Sequence, residues 1–395
     1  MTTHSSWPAG TATDRAPRPG SRGMNRLRRL HDAGVSIWLD TLSRDLLDSA
    51  AFDALVGDCA VTGATSNPTI FAKAISGSSR YDEQLRGAVA SGITDRRELF
   101  FELALDDVRR AADILRPTYD ATGGRDGFVS FECAPDVADD APATVEQAVE
   151  LWERLARPNV MIKVPATDAG IVAIEQLTAR GVNVNVTLLF SLARYEQVIE
   201  AYLAGLERRV AAGRPVEAIA SVASFFVSRV DAKVDALLAP GSPLRGRVAI
   251  ANAHVAYGRY RERFAGERWR ALQRRGALAQ RPLWASTATK DPAYSDVLYV
   301  EQLIGADVIT TMPEATLRAF ADHGRVPRAP AIDPTAGGHT LQLAREAGID
   351  LDAITAGLER EGVRAFCDSY VRVLACIDTK IDGPSIARQA GSSSR

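Results

Sequence analysis

Eight short runs of β-branched and apolar residues recur along the chain, each followed by a stretch with helical periodicity, and this alternation constrains the fold more than any other feature. The runs are VSIWLD (35–40), AVTGATS (60–66), FVSFE (128–132), VMIKV (160–164), VNVTLLF (184–190), IASVASFF (219–226), PLWAS (282–286) and ADVITT (306–311). Near-continuous apolar strands are buried on both faces, as in parallel sheets whose crossovers are helices. Eight such units close naturally into a (β/α)8 TIM barrel, an α/β fold, and 395 residues suffice for one with additional helices. An open doubly wound sheet is the alternative, but no G-x-G-x-x-G motif follows the first run to support it.

Two intervals, 72–127 and 227–280, are too long for one helix each and read as extra helices, through ELFFELALDDVRRAADIL and RVAIANAHVAYGRYRERF. Pro313 in PEATLRAFADHG suits a first helical turn. The final helical stretch, ITAGLEREGVRAFCDSYVRVLACIDTKI, is expected to pack outside the barrel. Residues 1–23, rich in Ser, Thr, Arg, Pro and Gly, read as a disordered leader, which leaves Met1 and Met24 both as candidate starts. Residues 24–381 read as one barrel domain with helical insertions and C-terminal helices, and 382–395 as a disordered tail.

A composition of 46% hydrophobic and 24% charged residues with a formal net charge of -2 is that of a soluble globular protein without bias toward nucleic acid. The cysteines lack C-x-x-C spacing and the histidines are scattered, so neither a disulfide scaffold nor a zinc site is expected. No apolar stretch approaches the roughly 18 residues that span a bilayer, and the N-terminus lacks the apolar core of a secretory signal. The expectation is a cytoplasmic monomer or homodimer with no membrane or nucleic-acid partner.

Of 47 basic residues only five are lysines: Lys73, Lys163, Lys233, Lys290 and Lys380. A chain that otherwise uses arginine for its cations has put a lysine inside the apolar run VMIKV, and imine formation is one task arginine cannot perform. Burial on a strand disfavours the ammonium form and leaves more free amine for attack on a carbonyl. In a barrel, catalytic groups lie at the C-terminal ends of the strands. The polar residues expected there are Asp40, Asn67, Glu132, Lys163, Thr187, Ser224 with Arg229 beyond it, and Ser286 with Lys290 beyond it. Together they offer a nucleophile, two carboxylates for proton transfer, and two cations for a phosphate. That set points to carbonyl chemistry on an anionic sugar.

Each residue also has a structural reading. Lys163 could snorkel at a strand end, Asp40 could cap the following helix, Asn67-Pro68 is a common turn pair, and Ser286 or Thr287 could cap backbone groups.

Two segments, GATSNPTI (63–70) and VMIKVPATDAGIVAIEQL (160–177), resemble the signature segments of the transaldolase family. The similarity continues through NVTLLFSLARY, SVASFFVSRVD, QRPLWASTATKDPAYSD, TMPEATL and GIDLDAITAGLEREGVRAF, from about Leu27 to Lys380, and is greatest to the longer actinobacterial type. The resemblance implies that Lys163 forms a Schiff base with a ketose phosphate and that Asp40 is the general acid/base at the C4 hydroxyl. Glu132 and Thr187 would position a proton-shuttling water, Asn67 would hold the dihydroxyacetone unit, and Ser224, Arg229, Ser286 and Lys290 would line the donor and phosphate site. No metal or organic cofactor is implied. The reaction would move dihydroxyacetone from sedoheptulose 7-phosphate or fructose 6-phosphate to glyceraldehyde 3-phosphate or erythrose 4-phosphate in the pentose phosphate pathway.

The chain departs from the family pattern in SFECAP, where SIEVDP is expected, and in STATK, where STGTK is expected. Ala288 in place of glycine is expected to cost left-handed backbone freedom, and Cys133 is either a small core residue or a redox-sensitive thiol. These departures keep open an unusual acceptor in a specialised pathway. A class I aldolase that releases dihydroxyacetone, and a non-catalytic sugar-phosphate-binding barrel, are the remaining readings.

Overall fold

A computed structural model of the chain describes residues 21–329 and 331–382, with side chains from Arg26 onward. Eight parallel strands pair in sequence order and the first also pairs with the last, so the sheet closes into a barrel. They are β1 (Val35–Leu39), β2 (Val61–Thr65), β3 (Phe128–Glu132), β4 (Val160–Pro165), β5 (Val184–Leu189), β6 (Ser221–Phe226), β7 (Arg281–Ala285) and β8 (Val308–Met312). Each apolar run of the sequence coincides with one strand to within a residue or two, and closure between β1 and β8 rules out the open doubly wound sheet.

Successive side chains on a strand point to opposite faces, and this alternation decides what lies inside. In β4, Val160, Ile162 and Val164 join the large apolar cluster between barrel and helices. Met161 instead belongs to a second cluster inside the barrel with Trp38, Phe128, Val222, Leu283 and Ile309. Two residues further along, the inward position turns polar at Asp40, Ser130, Lys163, Ser224 and Thr311. The interior therefore has an apolar floor and a polar mouth at the C-terminal ends of the strands.

Trp38 fills that floor because the neighbouring strand yields space. A Cβ at Gly63 would lie 2.4 Å from the indole nitrogen, so only glycine fits there. The indole Nε1 donates to Asp126 Oδ1 at 2.9 Å.

The two long intervals hold the extra helices, Asp82–Ala90 and Arg96–Ala121 in the first, Ser228–Asp235, Val248–Arg263 and Glu267–Gln273 in the second. Pro313 stands at the cap position before the helix Glu314–His323 and not within its first turn. The first helix, Ser21–Asp32, begins inside the expected leader, whose residues 1–20 lie outside the described residues, as does the tail after Asp382.

A further expectation needs correction. The long helix Leu351–Asp382 does not simply pack on the outer wall but crosses the C-terminal mouth, where Gly362, Ala365, Phe366, Ser369 and Arg372 line the central cavity. Charged side chains from several crossovers hold it there. Arg194 pairs with Glu359 at 3.4 Å, Lys233 with Glu361 at 2.8 Å, and Arg96 with Asp378. Lys380 donates to the Ser78 carbonyl at 2.8 Å. These attachments come from segments after β2, β5 and β6, so no local sequence signal announces them.

Candidate active site

All nine residues singled out from the sequence line one cavity of about 450 Å³ at the mouth of the barrel: Asp40, Asn67, Glu132, Lys163, Thr187, Ser224, Arg229, Ser286 and Lys290. They come from the ends of seven strands, which is why they are so dispersed in sequence.

Lys163 is buried, with its side chain 8% exposed, and points from β4 into the cavity. Its Nζ donates to the Ser66 carbonyl at 3.1 Å and lies 2.5 Å from Glu132 Oε1. Lys163 and Glu132 are register partners on β4 and β3, so the pair is set by strand pairing and not by a flexible loop. A snorkelling lysine would reach solvent, and this one does not. Burial pushes the Glu132 carboxyl above its usual range, against the opposing pull of Lys163. Its second oxygen, Oε2, is buried without a hydrogen-bond partner among the described residues.

Asp40 accepts from Thr65 Oγ1 at 2.8 Å, and Thr65 in turn meets Thr311 Oγ1 at 2.9 Å. The capping alternative for Asp40 falls away, because the next helix, Arg44–Asp48, is capped by Ser43. Asn67 both starts a helix with Pro68 and lines the cavity. Its Oδ1 caps the helix Pro68–Gly77 by accepting from Ile70 N at 3.0 Å, which orients the remaining amide nitrogen as a donor at the cavity wall.

Thr187, 2% exposed, is followed by Leu188 with φ 53, a left-handed backbone that interrupts the pairing of β5 with β6. Such strain in a residue with a side chain persists only where surrounding structure imposes it. Ser224 Oγ donates to Asn185 Oδ1 at 2.7 Å, and Asn185 Nδ2 donates to Ser130 Oγ at 2.8 Å. Ser286 also has a left-handed backbone, with φ 56, and its hydroxyl meets Ser228 Oγ at 2.9 Å. Thr287, the other capping candidate, donates to the Thr311 carbonyl at 2.8 Å.

Arg229 stacks over Phe226 at 5.3 Å and makes no ion pair among the described residues; neither does Lys290. Burial disfavours the charge on both, and on Lys290 the nearby Arg229 adds repulsion, while Asp40 pulls the other way. Two unpaired, mutually repelling cations on one wall form a site for an anion.

A family model described as Transaldolase/Fructose-6-phosphate aldolase matches residues 37–377. The chain is 49% identical over 363 residues to a transaldolase of Saccharopolyspora erythraea, covering 91% of this chain and 98% of that protein. It is also 48% identical over 373 residues to transaldolase 1 of Streptomyces avermitilis (92% and 97%) and 41% identical over 374 residues to transaldolase 2 of Nostoc (91% and 98%). The chain belongs to the transaldolase/fructose-6-phosphate aldolase family.

Within this transaldolase-family barrel, the departures noted in the sequence separate into two groups. Cys133 and Ala134 are buried, 3% and 2% exposed, in the outer apolar cluster and do not line the cavity. Burial pushes the Cys133 thiol well above its ordinary value, which leaves a core residue and not a reactive thiol. Ala288 does line the cavity. The expected left-handed cost at Ala288 is absent, since its φ is not positive and the left-handed residue of that loop is Ser286.

The cavity also contains residues that the strand-end reading missed. Thr65 and Thr311 are inward-facing neighbours of Asp40, and the buried Asn185 stands behind Ser224. Counting in steps of two back from Thr187, or on from Gly63 and Ile309, finds them. No such count finds Ser369 or Arg372, which arrive on the long helix.

Proposed function

We propose that this family member is a transaldolase that carries a dihydroxyacetone unit between sugar phosphates on Lys163, acting as one barrel domain in the cytoplasm without a cofactor. The observation that carries this reading is the buried lysine in direct contact with a carboxyl group whose proton affinity burial has raised.

Transfer of a proton from Nζ to Glu132 frees the amine, which attacks C2 of fructose 6-phosphate or sedoheptulose 7-phosphate. In the carbinolamine the nitrogen passes a second proton to the C2 oxygen and the protonated carboxyl returns the first, so the oxygen leaves as water and gives the iminium; Thr187 and the unpartnered Oε2 would order the water that relays these protons. Asp40 takes the C4 hydroxyl proton as the C3–C4 bond breaks, the electron pair flows into the iminium, and an aldose phosphate departs. The enamine that remains adds to the aldehyde carbon of glyceraldehyde 3-phosphate or erythrose 4-phosphate, Asp40 returns its proton to the new hydroxyl, and water hydrolyses the imine. Asn67 and Ser224 would hold the hydroxyls of the three-carbon unit, and Arg229, Ser286 and Lys290 the phosphate. The long helix over the mouth supports the survival of the enamine by limiting access of water.

The test is intact mass after incubation with fructose 6-phosphate and borohydride, comparing the wild type with Lys163→Arg. A reduced three-carbon adduct on the wild type alone is expected. Absence of adduct on folded wild-type protein returns the non-catalytic reading. The family description also covers fructose-6-phosphate aldolases, and product analysis without an acceptor separates the two: a transaldolase stalls after one equivalent, whereas an aldolase continues to release dihydroxyacetone. The specialised-acceptor reading now rests on Ala288 alone, and a screen in which only the two housekeeping acceptors react would end it.

A further inference from the structure

Four cations and two carboxylates line the cavity: Lys163, Arg229, Lys290 and Arg372 against Asp40 and Glu132. Two positive charges are left over, which match the two negative charges of a phosphomonoester dianion. Three of the cations have an acidic neighbour. Glu132 lies against Lys163, and the charge of Asp40 acts on Arg229 and Lys290. Arg372 makes no ion pair among the described residues.

Its anchoring is specific nonetheless. Nη2 of Arg372 donates to Ser369 Oγ at 2.7 Å, and the same oxygen accepts from Thr69 Oγ1 at 2.8 Å while donating to the Ala365 carbonyl at 2.7 Å. One guanidinium donor is thereby used and the others are left for a ligand. Thr69 belongs to the helix that follows β2, whereas Arg229 follows β6 and Lys290 follows β7. In the closed order β1 to β8, β2 and β6 stand on opposite sides of the barrel. Arg372 thus faces Arg229 and Lys290 across the mouth.

We propose that Arg372 is a specificity residue for the phosphate group of the substrates, a further cation that the long helix brings over the mouth to complete the neutralisation of a phosphomonoester dianion. Arg372 is exposed to solvent while lining the cavity, so its charge acts chiefly by drawing an anion to the mouth. The proposal rests on the transaldolase reading for the identity of the phosphate carrier but not for the anion site itself.

The experiment compares the wild type with Arg372→Met and Arg372→Lys. The readout is the ratio of kcat/KM for erythrose 4-phosphate to that for unphosphorylated erythrose, with fructose 6-phosphate as donor. Arg372→Met is expected to lower this ratio about tenfold, with the loss shrinking as salt is raised, and Arg372→Lys to restore most of it. Equal losses on both acceptors would mean that Arg372 only supports the helix, and an unchanged ratio would mean that its charge is irrelevant; either overturns the proposal. Calorimetric titration with inorganic phosphate reads the same site without turnover. Weaker binding in Arg372→Met than in Arg372→Lys upholds the anion site even if the protein forms no imine, and equal binding in all three proteins removes it.

Discussion

Nζ of Lys163 and Oε1 of Glu132 lie 2.5 Å apart on neighbouring strands at positions that are also partners in the sheet register. The proposed nucleophile and the carboxyl proposed to manage its proton are therefore fixed by the barrel itself, and a shift of either strand by one residue would turn one of them out of the interior.

Glu132→Gln keeps the shape of the side chain and removes its charge. Imine formation with fructose 6-phosphate, followed by borohydride trapping against time, should slow about a hundredfold while the final mass increment stays the same. Trapping at the wild-type rate would remove Glu132 from proton transfer.

Arg229→Met removes a cavity cation that makes no ion pair among the described residues. Steady-state kinetics should show KM for fructose 6-phosphate rising about 10- to 100-fold with a smaller change in kcat, the pattern expected when a charged hydrogen bond to substrate is lost. A fall confined to kcat would place Arg229 in the chemistry instead.

Gly362→Ala tests the contact between the long helix and β5. Alanine adds up to about 1 kcal/mol of helix propensity, but its methyl would meet Leu188 Cδ2 at 3.0 Å. Leu188 already carries a left-handed backbone next to Thr187. Thermal unfolding is expected to be unchanged or slightly raised, while kcat/KM falls about fivefold as Leu188 is pressed toward Thr187. Full activity would show that Leu188 has room to move.

Asp231 accepts from Ala249 N at 2.8 Å and from Tyr299 OH at 3.0 Å. Its burial lifts the carboxyl to about 7 from 3.8. A folded-state value above the unfolded one means that the native state holds the proton longer. The stability Asp231 contributes is complete below pH 4 and is lost as pH rises toward 7, by at most about 1.4 kcal/mol per unit. Denaturant unfolding of Asp231→Asn should accordingly gain on the wild type between pH 4 and 7. A constant difference across that range would show that Asp231 does not titrate there.

Ala288→Gly leaves the backbone of its loop unstrained in either form, so its effect reads cavity shape alone. Glycine should broaden the range of acceptor aldehydes by severalfold changes in relative kcat/KM, the size expected for one methyl group. An identical acceptor profile would end the case for Ala288 as a specificity determinant.

Much of the site was legible because strand and mouth are coupled by short-range rules. A polar residue at the end of an apolar run lies at the mouth of a parallel barrel, and Lys163, Asp40 and Glu132 all follow from that statement. Thr65, Asn185 and Thr311 were legible in principle through the two-residue period. The long helix was not. Its amphipathic pattern announces a buried face, but the partners of Glu359, Glu361 and Asp378 lie more than a hundred residues away.

By itself, the sequence determined the eight strands, their helical crossovers and the inward position of Lys163, because these depend on periodicity and burial between near neighbours. Only the tertiary structure decided that Glu132 would touch that lysine, that Leu188 and Ser286 would adopt left-handed backbones, and that Arg372 would cross the mouth to face Arg229 and Lys290. Each of those depends on closing the barrel and docking the long helix upon it, and contacts between distant segments leave no period in the chain to read.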